Sequence, residues 1–409
     1  MKRFSFSRFV LCVLCGAGIF VLPSLSHAGW VLLNSGTTNR LNSVHFPLDA
    51  STGYAVGGSG TIMKTTNGGA TWGSQTSGTT NWLRSIHFPV DALTGYAVGY
   101  IGTILKTTNG GTTWSSQTSD TTHNLFSVHF PLDASTGYAV GGYPGPVTIL
   151  KTTNGGALWD TLSSGTTNPL LSVHFPVNAS TGYAGGYIGT ILKTTNGGTT
   201  WSSQTSGTTH NLYSVHFPVD ALTGYAVGDA GTILKTTNGG AAWDTLSSGT
   251  AQYLLSVHFP VDASTGYAVG GYPGPGTILK TTNGGANWVT QTSGTPNWLY
   301  SVHFPVNAQT GYAVGDNGTI LKTTDGGVGV EVSPSHESRV TSYGVFPNPF
   351  TSFATIPGHS TDLFILYDIS GRQVGTYRGD RIGEGLSPGV YFLKSEGKAA
   401  KAFRIVKLR

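Results

Sequence analysis

The stretch Leu212–Trp243, LYSVHFPVDALTGYAVGDAGTILKTTNGGAAW, decides how this 409-residue chain folds. Leu212 to Phe217 reads as a strand and Pro218 to Thr223 as a polar turn. Gly224 to Gly228 (GYAVG) is a second strand, Asp229-Ala230-Gly231 a short connection, and Thr232 to Thr237 (TILKTT) a third strand. Asn238-Gly239 then predicts a type I′ hairpin, because Asn and Gly tolerate the positive φ that such a turn needs at both central positions. A fourth strand starts near Trp243.

The stretch is one of seven copies. Its histidine recurs as His45, His87, His129, His174, His216, His258 and His303, at spacings of 42, 42, 45, 42, 42 and 45 residues. The longer spacings come from insertions of the type GGYPGP, at Tyr143 to Pro146 and Tyr272 to Pro275. Four short strands in about 42 residues match one blade of a β-propeller. Trp72, Trp114, Trp159, Trp201, Trp243 and Trp288 each follow an NGG turn, yet Asp325-Gly326-Gly327 has no Trp after it. The missing strand is at the other end, where Trp30 precedes Ser35-Gly36-Thr37-Thr38-Asn39 at the offset that links Trp72 to Ser77-Gly78-Thr79-Thr80-Asn81. The expected fold is all-β: a seven-bladed β-propeller over residues 29–327, closed by the N-terminal strand, plus a small C-terminal β-sandwich. Closure removes the two sheet edges that an open array, such as a β-solenoid, would expose.

Composition agrees with an all-β chain and narrows its roles. Charged residues are 10% and aromatic ones 11%, with 60 glycines, which speaks against long charged helices and against disorder. Residues 29–327 hold nine Lys and Arg against eleven Asp and no Glu; residues 328–409 hold ten basic against seven acidic side chains. Without a cluster of Lys and Arg to displace phosphate counterions, the large domain is not expected to bind nucleic acid. Residues 1–28 have a basic start (Lys2, Arg3, Arg8), an apolar run from Phe9 to about Leu25, and Ser26-His27-Ala28 with small residues at the cleavage-determining positions. They read as a Sec signal peptide cut after Ala28 rather than a membrane anchor. Cys12 and Cys15, the two cysteines of the chain, fall inside it. The processed chain is then expected to hold neither a disulfide nor a thiolate metal site.

GYAVGDNGTILKTTDGG at Gly311 to Gly327, and its sisters ending TTNGGTTW, resemble the Asp-box (BNR) propellers, most closely the photosystem II assembly factor type, over residues 29–327. The resemblance implies that the turns at Asn67, Asn109, Asn154, Asn196, Asn238, Asn283 and Asp325 are structural hairpins away from the ligand face; six of the seven replace the Asp by Asn. It also brings sialidases into view. Their chemistry requires three arginines, a Tyr nucleophile with a Glu and an acid Asp, whereas the propeller has Arg40 and Arg84 alone and no Glu. No enzyme activity, no cofactor and no metal are expected. The same poverty of arginine separates the chain from the basic patch of the assembly factors.

The seven histidines read as one packing solution reused, with ring-related copies held apart by whole blades. The lysines Lys64, Lys106, Lys151, Lys193, Lys235, Lys280 and Lys322 read as solvated stems over apolar surface, and the Asp or Asn after each FPV or FPL as turn chemistry. Variation among copies falls elsewhere. In a four-stranded blade, the connection into the first strand and that between the second and third open on the same face. Arg40, Trp82, Tyr253 and Trp298 lead into first strands, and Tyr100, Tyr143, Tyr187 and Tyr272 stand in the other loops. These eight form the candidate ligand-binding face, suited to a glycan or protein ligand because aromatic rings give large contact area at low entropy cost.

Val328 to Ser342 is a polar linker. Tyr343 to Arg409 alternates apolar and polar residues in FATIPG, LFILYDISGRQVG, GVYFLK and AFRIVKL, with hairpin turns at Ser370-Gly371 and Glu396-Gly397. VFPNPF (Val345 to Phe350), YDISGRQV (Tyr367 to Val374) and LSPGVYFLK (Leu386 to Lys394) resemble the type A C-terminal sorting domain of the type IX secretion system. That resemblance implies type IX machinery as the partner of residues 343–409 and a place outside the cell or on its outer surface. The sequence thus reads as a secreted, monomeric binding or scaffold propeller, with a glycan-active hydrolase or a structural adhesion protein as the alternatives.

Overall fold

The computed structural model describes residues 29–328, 351–355, 363–368, 372–378, 381–395 and 402–407. The expected signal peptide, all but the first residue of the linker, the VFPNPF motif and the turns at Ser370-Gly371 and Glu396-Gly397 lie outside them. The chain divides into two compact units, Met1–Val332 and Ser333–Arg409, a boundary inside the expected linker.

The described residues of unit one form seven four-stranded antiparallel sheets. In the quoted repeat the strands are Leu212–His216, Gly224–Gly228, Ile233–Thr236 and Asp244–Leu246, paired in chain order. The last sheet takes Leu299–His303, Gly311–Gly315 and Ile320–Thr323, and its fourth strand is Val31–Leu33 from the other end of the domain. Val31 stands opposite Lys322 and Leu33 opposite Ile320. Trp30 is buried edge-on against Tyr267 and Phe304, at 6.3 and 5.8 Å between ring centroids. The closing strand is thus the one that the missing tryptophan predicts.

The repeat sequence also dictates how neighbouring sheets join. The GYAVG segment of each second strand, GYAGG in one copy, is buried throughout, as expected of a strand covered on both faces. Its first residue must be Gly: a Cβ on Gly53 would overlap the Phe46 ring that covers it, and the same holds in the other six copies. The Tyr after it stacks on the next sheet's Phe, as Tyr54 does on Phe88 at 4.0 Å. The Tyr54 hydroxyl donates to the Ala92 and Gly110 carbonyls at 2.8 and 3.1 Å. Lys64 Nζ donates to the same Gly110 carbonyl at 2.7 Å. Lys322 repeats this contact onto Gly68 at 2.7 Å, joining last sheet to first. The lysines are therefore not free solvated stems. Each fastens its sheet to the next, because its ammonium lies over the Tyr ring and within reach of a turn carbonyl.

The Asp-box turns are hairpin structures, but positive φ falls on the two glycines, Gly239 (69°) and Gly240 (86°), rather than on Asn238. Asn instead closes the turn from outside. Thr65 Oγ1 donates to Asn67 Oδ1 (3.0 Å) and accepts from Gly69 N–H (2.9 Å), while Asn67 Oδ1 also accepts from Thr71 N–H. Asp325 does the same from its carboxylate, receiving Thr323 Oγ1 and Gly327 N–H. The residue after each FPV or FPL behaves as read: Asp49 Oδ1 accepts from Ser51 and Thr52 N–H, an Asx turn.

The described residues of unit two are also all-β. Leu363–Asp368, Gln373–Arg378, Gly389–Ser395 and Ala402–Lys407 form a four-stranded sheet in the order second, first, third, fourth. Ala354–Thr355 and Arg381–Ile382 form a two-stranded ladder. Ala354 and Ile382 share one core with Phe364, Leu366, Leu393 and Ile405.

Candidate functional site

Each first strand reads Leu-x-Ser-Val/Ile-His-Phe, with apolar residues at spacings of three and then two. A regular strand would space them by two throughout. The extra residue is a bulge: the register slips between Leu41 and Ser43, between Leu83 and Ser85, and at the same place in the other five sheets. Bulges re-aim a side chain, and here x turns into a cavity on the axis. Asn42, Arg84, Phe126, Leu171, Tyr213, Leu255 and Tyr300 all line it, and its volume is about 550 Å³, within the range of small-ligand sites.

Seven of the eight sequence-derived face residues line the same bowl: Arg40, Tyr100, Tyr143, Tyr187, Tyr253, Tyr272 and Trp298. Trp82 stands behind them, 5.4 Å from the Arg40 guanidinium and stacked with Tyr100 at 6.1 Å. Tyr272 forms edge contacts with both Tyr253 and Trp298 at 5.0 and 4.9 Å. Tyr143 and Tyr272 are the exposed members of the rim, at 56% and 44%.

Electrostatically the two arginines differ. Arg40 Nε donates to Asp316 Oδ1 at 2.6 Å, and its guanidinium is held between Trp82 and Tyr300. Tyr300 also donates to Asp316, at 3.3 Å, and burial pushes its pKa up to about 12. Arg84 has no carboxylate partner among the described residues. Its polar contact is the Asn42 amide oxygen at 3.3 Å, and its guanidinium carbon lies 6.0 and 5.7 Å from the Tyr100 and Phe126 rings. Burial lowers its pKa, Tyr100 opposes that, and the nearby Arg40 charge adds to it. An enclosed cation without a counter-charge is costly. Asp229, beside Tyr213, keeps Oδ1 buried without a partner.

Below the bowl two collars surround the axis. Each Ser of the repeat accepts the Val or Ile N–H of the neighbouring sheet; Ser43 accepts from Ile86 at 3.3 Å, and Ser301 from Val44 at 3.2 Å. The histidines follow. Whole sheets do not hold them apart: adjacent imidazole centroids are 4.8–5.0 Å apart all the way round, and His303 meets His45. Sheets are wide at the rim but their first strands crowd together at the axis, which is what brings the rings into contact. Burial, with neighbouring imidazoles adding to it at most positions, keeps all seven neutral. His45 falls to about 3 and His216, by burial, to about 4. No group of three or more His, Cys, Asp or Glu among the described residues is arranged to hold a metal.

A ring of Asp-box sheets around an aromatic axial bowl defines a class of propellers. The photosynthesis system II assembly factor YCF48 family profile matches residues 22–115, 75–170, 157–247 and 203–296, more than half of the chain. The chain belongs to that family. Among solved structures it is similar to YCF48 bound to D1 peptide (21% identity, 74% of this chain and 99% of that one, TM-score 0.60). YCF48 from Cyanidioschyzon merolae is comparable (20% identity, 72% and 98%, TM-score 0.60). The GH74 enzyme of Niastella koreensis shares the fold at 14% identity, over 92% of this chain and 60% of that one (TM-score 0.61). The GH74 xyloglucanase of Xanthomonas campestris does so over 73% and 53%, also at 14% (TM-score 0.58). No curated protein matches the chain.

Proposed function

We propose that the propeller is a non-enzymatic binding module and that its ligand is a peptide segment presenting a carboxylate beside apolar side chains to the axial bowl. The observation that carries this is Arg84, an enclosed guanidinium facing a 550 Å³ aromatic cavity with no acid of its own among the described residues. A ligand carboxylate would supply the missing charge, and bidentate pairing would fix its orientation. The similar YCF48 structure with a D1 peptide supports a peptide over a glycan. Titration of the full chain with peptides ending in a free carboxylate, against the same peptides amidated, tests the idea. Arg84→Met is expected to weaken the free-acid peptides at least tenfold and Trp298→Ala several-fold. Equal binding of acid and amide would refute it, and a glycan array probed in parallel would reveal the other ligand class.

The address belongs to the same proposal: Sec export through residues 1–28, then passage across the outer membrane by type IX machinery reading a β-sandwich over residues 343–409, leaving a monomer outside the cell or on its surface. Three strands of unit two, Leu363–Asp368, Gln373–Arg378 and Gly389–Ser395, overlap the YDISGRQV and LSPGVYFLK motifs that suggested it. Deleting residues 343–409 is expected to strand the protein in the periplasm. A hydrolase remains the second reading, favoured by two aspartates beside the bowl, Asp229 and Asp316, and by the GH74 fold neighbours. Xyloglucan cleavage abolished by Asp229→Asn would replace the first reading with it.

A further inference from the structure

The histidine collar has a chemistry that the bowl does not use. In six of its seven members Nδ1 accepts a backbone N–H from the next sheet: His303 from Phe46, His45 from Phe88, and so on around, at 3.2–3.4 Å. A neutral imidazole whose Nδ1 is an acceptor carries its proton on Nε2. Those six Nε2–H donors meet no acceptor among the described residues, yet none is among the buried polar atoms sealed off without a partner. Each histidine is half-buried, and with an imidazole of the neighbouring sheet on either side the axis is the direction left open to its Nε2–H. His216 is the exception: its Nε2 lies 3.2 Å from the Phe259 carbonyl, leaving Nδ1 unengaged.

Metal binding is disfavoured by this wiring, since six lone pairs are already committed to backbone N–H groups. Six N–H donors around one channel suit an acceptor. We infer that the collar is a binding site for a tetrahedral oxyanion of the sulfate or phosphate class, held on the axis by the Nε2–H groups. Size decides between anions. Seven centroids 4.8–5.0 Å apart lie on a circle of roughly 5.6 Å radius, and a ring nitrogen aimed inward would stand about 4.5 Å from the axis. The oxygens of a tetrahedral oxyanion, about 1.5 Å from its centre, would then be about 3 Å from nitrogen, at hydrogen-bond length. A halide on the axis would be too far from every donor. The charge of Arg84, three residues before His87 on its strand, stands within about 10 Å along the channel and favours an anion there. His216, with its free Nδ1, offers one acceptor for the proton of a hydrogen phosphate.

The site stands independently of the peptide proposal. Crystals of the full chain soaked in selenate should show an anomalous peak on the axis at the level of the histidines, and calorimetry should detect sulfate and phosphate but not chloride. Phosphate binding tighter than sulfate would assign the His216 acceptor a role. The double variant His87→Phe, His174→Phe is expected to weaken oxyanion binding at least tenfold while peptide binding persists. Where that variant fails to fold, ¹⁵N spectra of the wild-type imidazoles provide the check: six Nε2–H tautomers whose shifts move on adding sulfate are expected. Nδ1–H tautomers, or a collar holding water alone in selenate, would overturn the inference.

Discussion

The two ends of every blade answer to different constraints. At the bowl end the residue leading into the first strand, the x position and the loop after the second strand change from copy to copy: x alone is Asn42, Arg84, Phe126, Leu171, Tyr213, Leu255 and Tyr300. At the far end FPVDA and TTNGG hardly change. The reason is visible in the hydrogen bonds. The Tyr and Lys of one sheet both end on carbonyls of the neighbour's far-end turns, as Tyr138 does on Ala179 and Gly197 and Lys151 on Gly197. A change there disturbs two sheets. A change at x disturbs what the bowl holds.

Acid should break the constant part most completely. Well above pH 6.5 the histidines are neutral whether the chain is folded or not; as the pH falls through 6.5 the unfolded chain takes up protons that the wheel refuses, so stability is lost progressively toward the folded values near 3 to 4. Each histidine can remove at most about 1.4 kcal/mol per pH unit, and there are seven. Thermal melts by circular dichroism should be level from about pH 8.5 to about 7.5, fall through pH 6.5 and drop steeply before pH 4; a level melt down to pH 4 would contradict the neutral ring. Next in size, Gly182→Val forces a side chain into the Phe175 ring and should cost about 3 kcal/mol in urea unfolding. Tyr138→Phe removes one hydroxyl serving two carbonyls, and about 1 kcal/mol is expected, since Lys151 still reaches Gly197. Smallest, Phe126→Tyr at the bowl should shift stability by no more than about 0.5 kcal/mol while changing which peptides bind. If the bowl substitution destabilised as much as Tyr138→Phe, the division between the two ends would not stand.

Most of the wheel could be read from the chain because a repeat states each packing rule seven times, and the orphan turn at Asp325 set against Trp30 left one place for the closing strand. The bowl was read in part. Arg40 and the aromatic loop residues announced themselves by variation, but the x residues sit inside a strand, where alternation assigns them no special place. Their signal was the uneven spacing of Leu, Val and Phe, which marks the bulge. The Asn of the NGG turn was given a backbone role that the two glycines fill, since the pattern alone does not tell whether Asn bends or caps. The histidines were misplaced for a geometric reason: separation along the chain says nothing about convergence at a hub. Arg84 was visible as one of two arginines, but its lack of a counter-charge appears only once Asp316 is seen to belong to Arg40.

Because Val31–Leu33 pairs with Ile320–Thr323, the propeller strand that comes first in the chain is the last to find its mate. Until the seventh copy emerges, every earlier sheet belongs to an open arc with two raw borders, and the early strand waits unmatched. Ordering of the whole ring is thus tied to arrival of its last copy. The fold contains its own test of completeness.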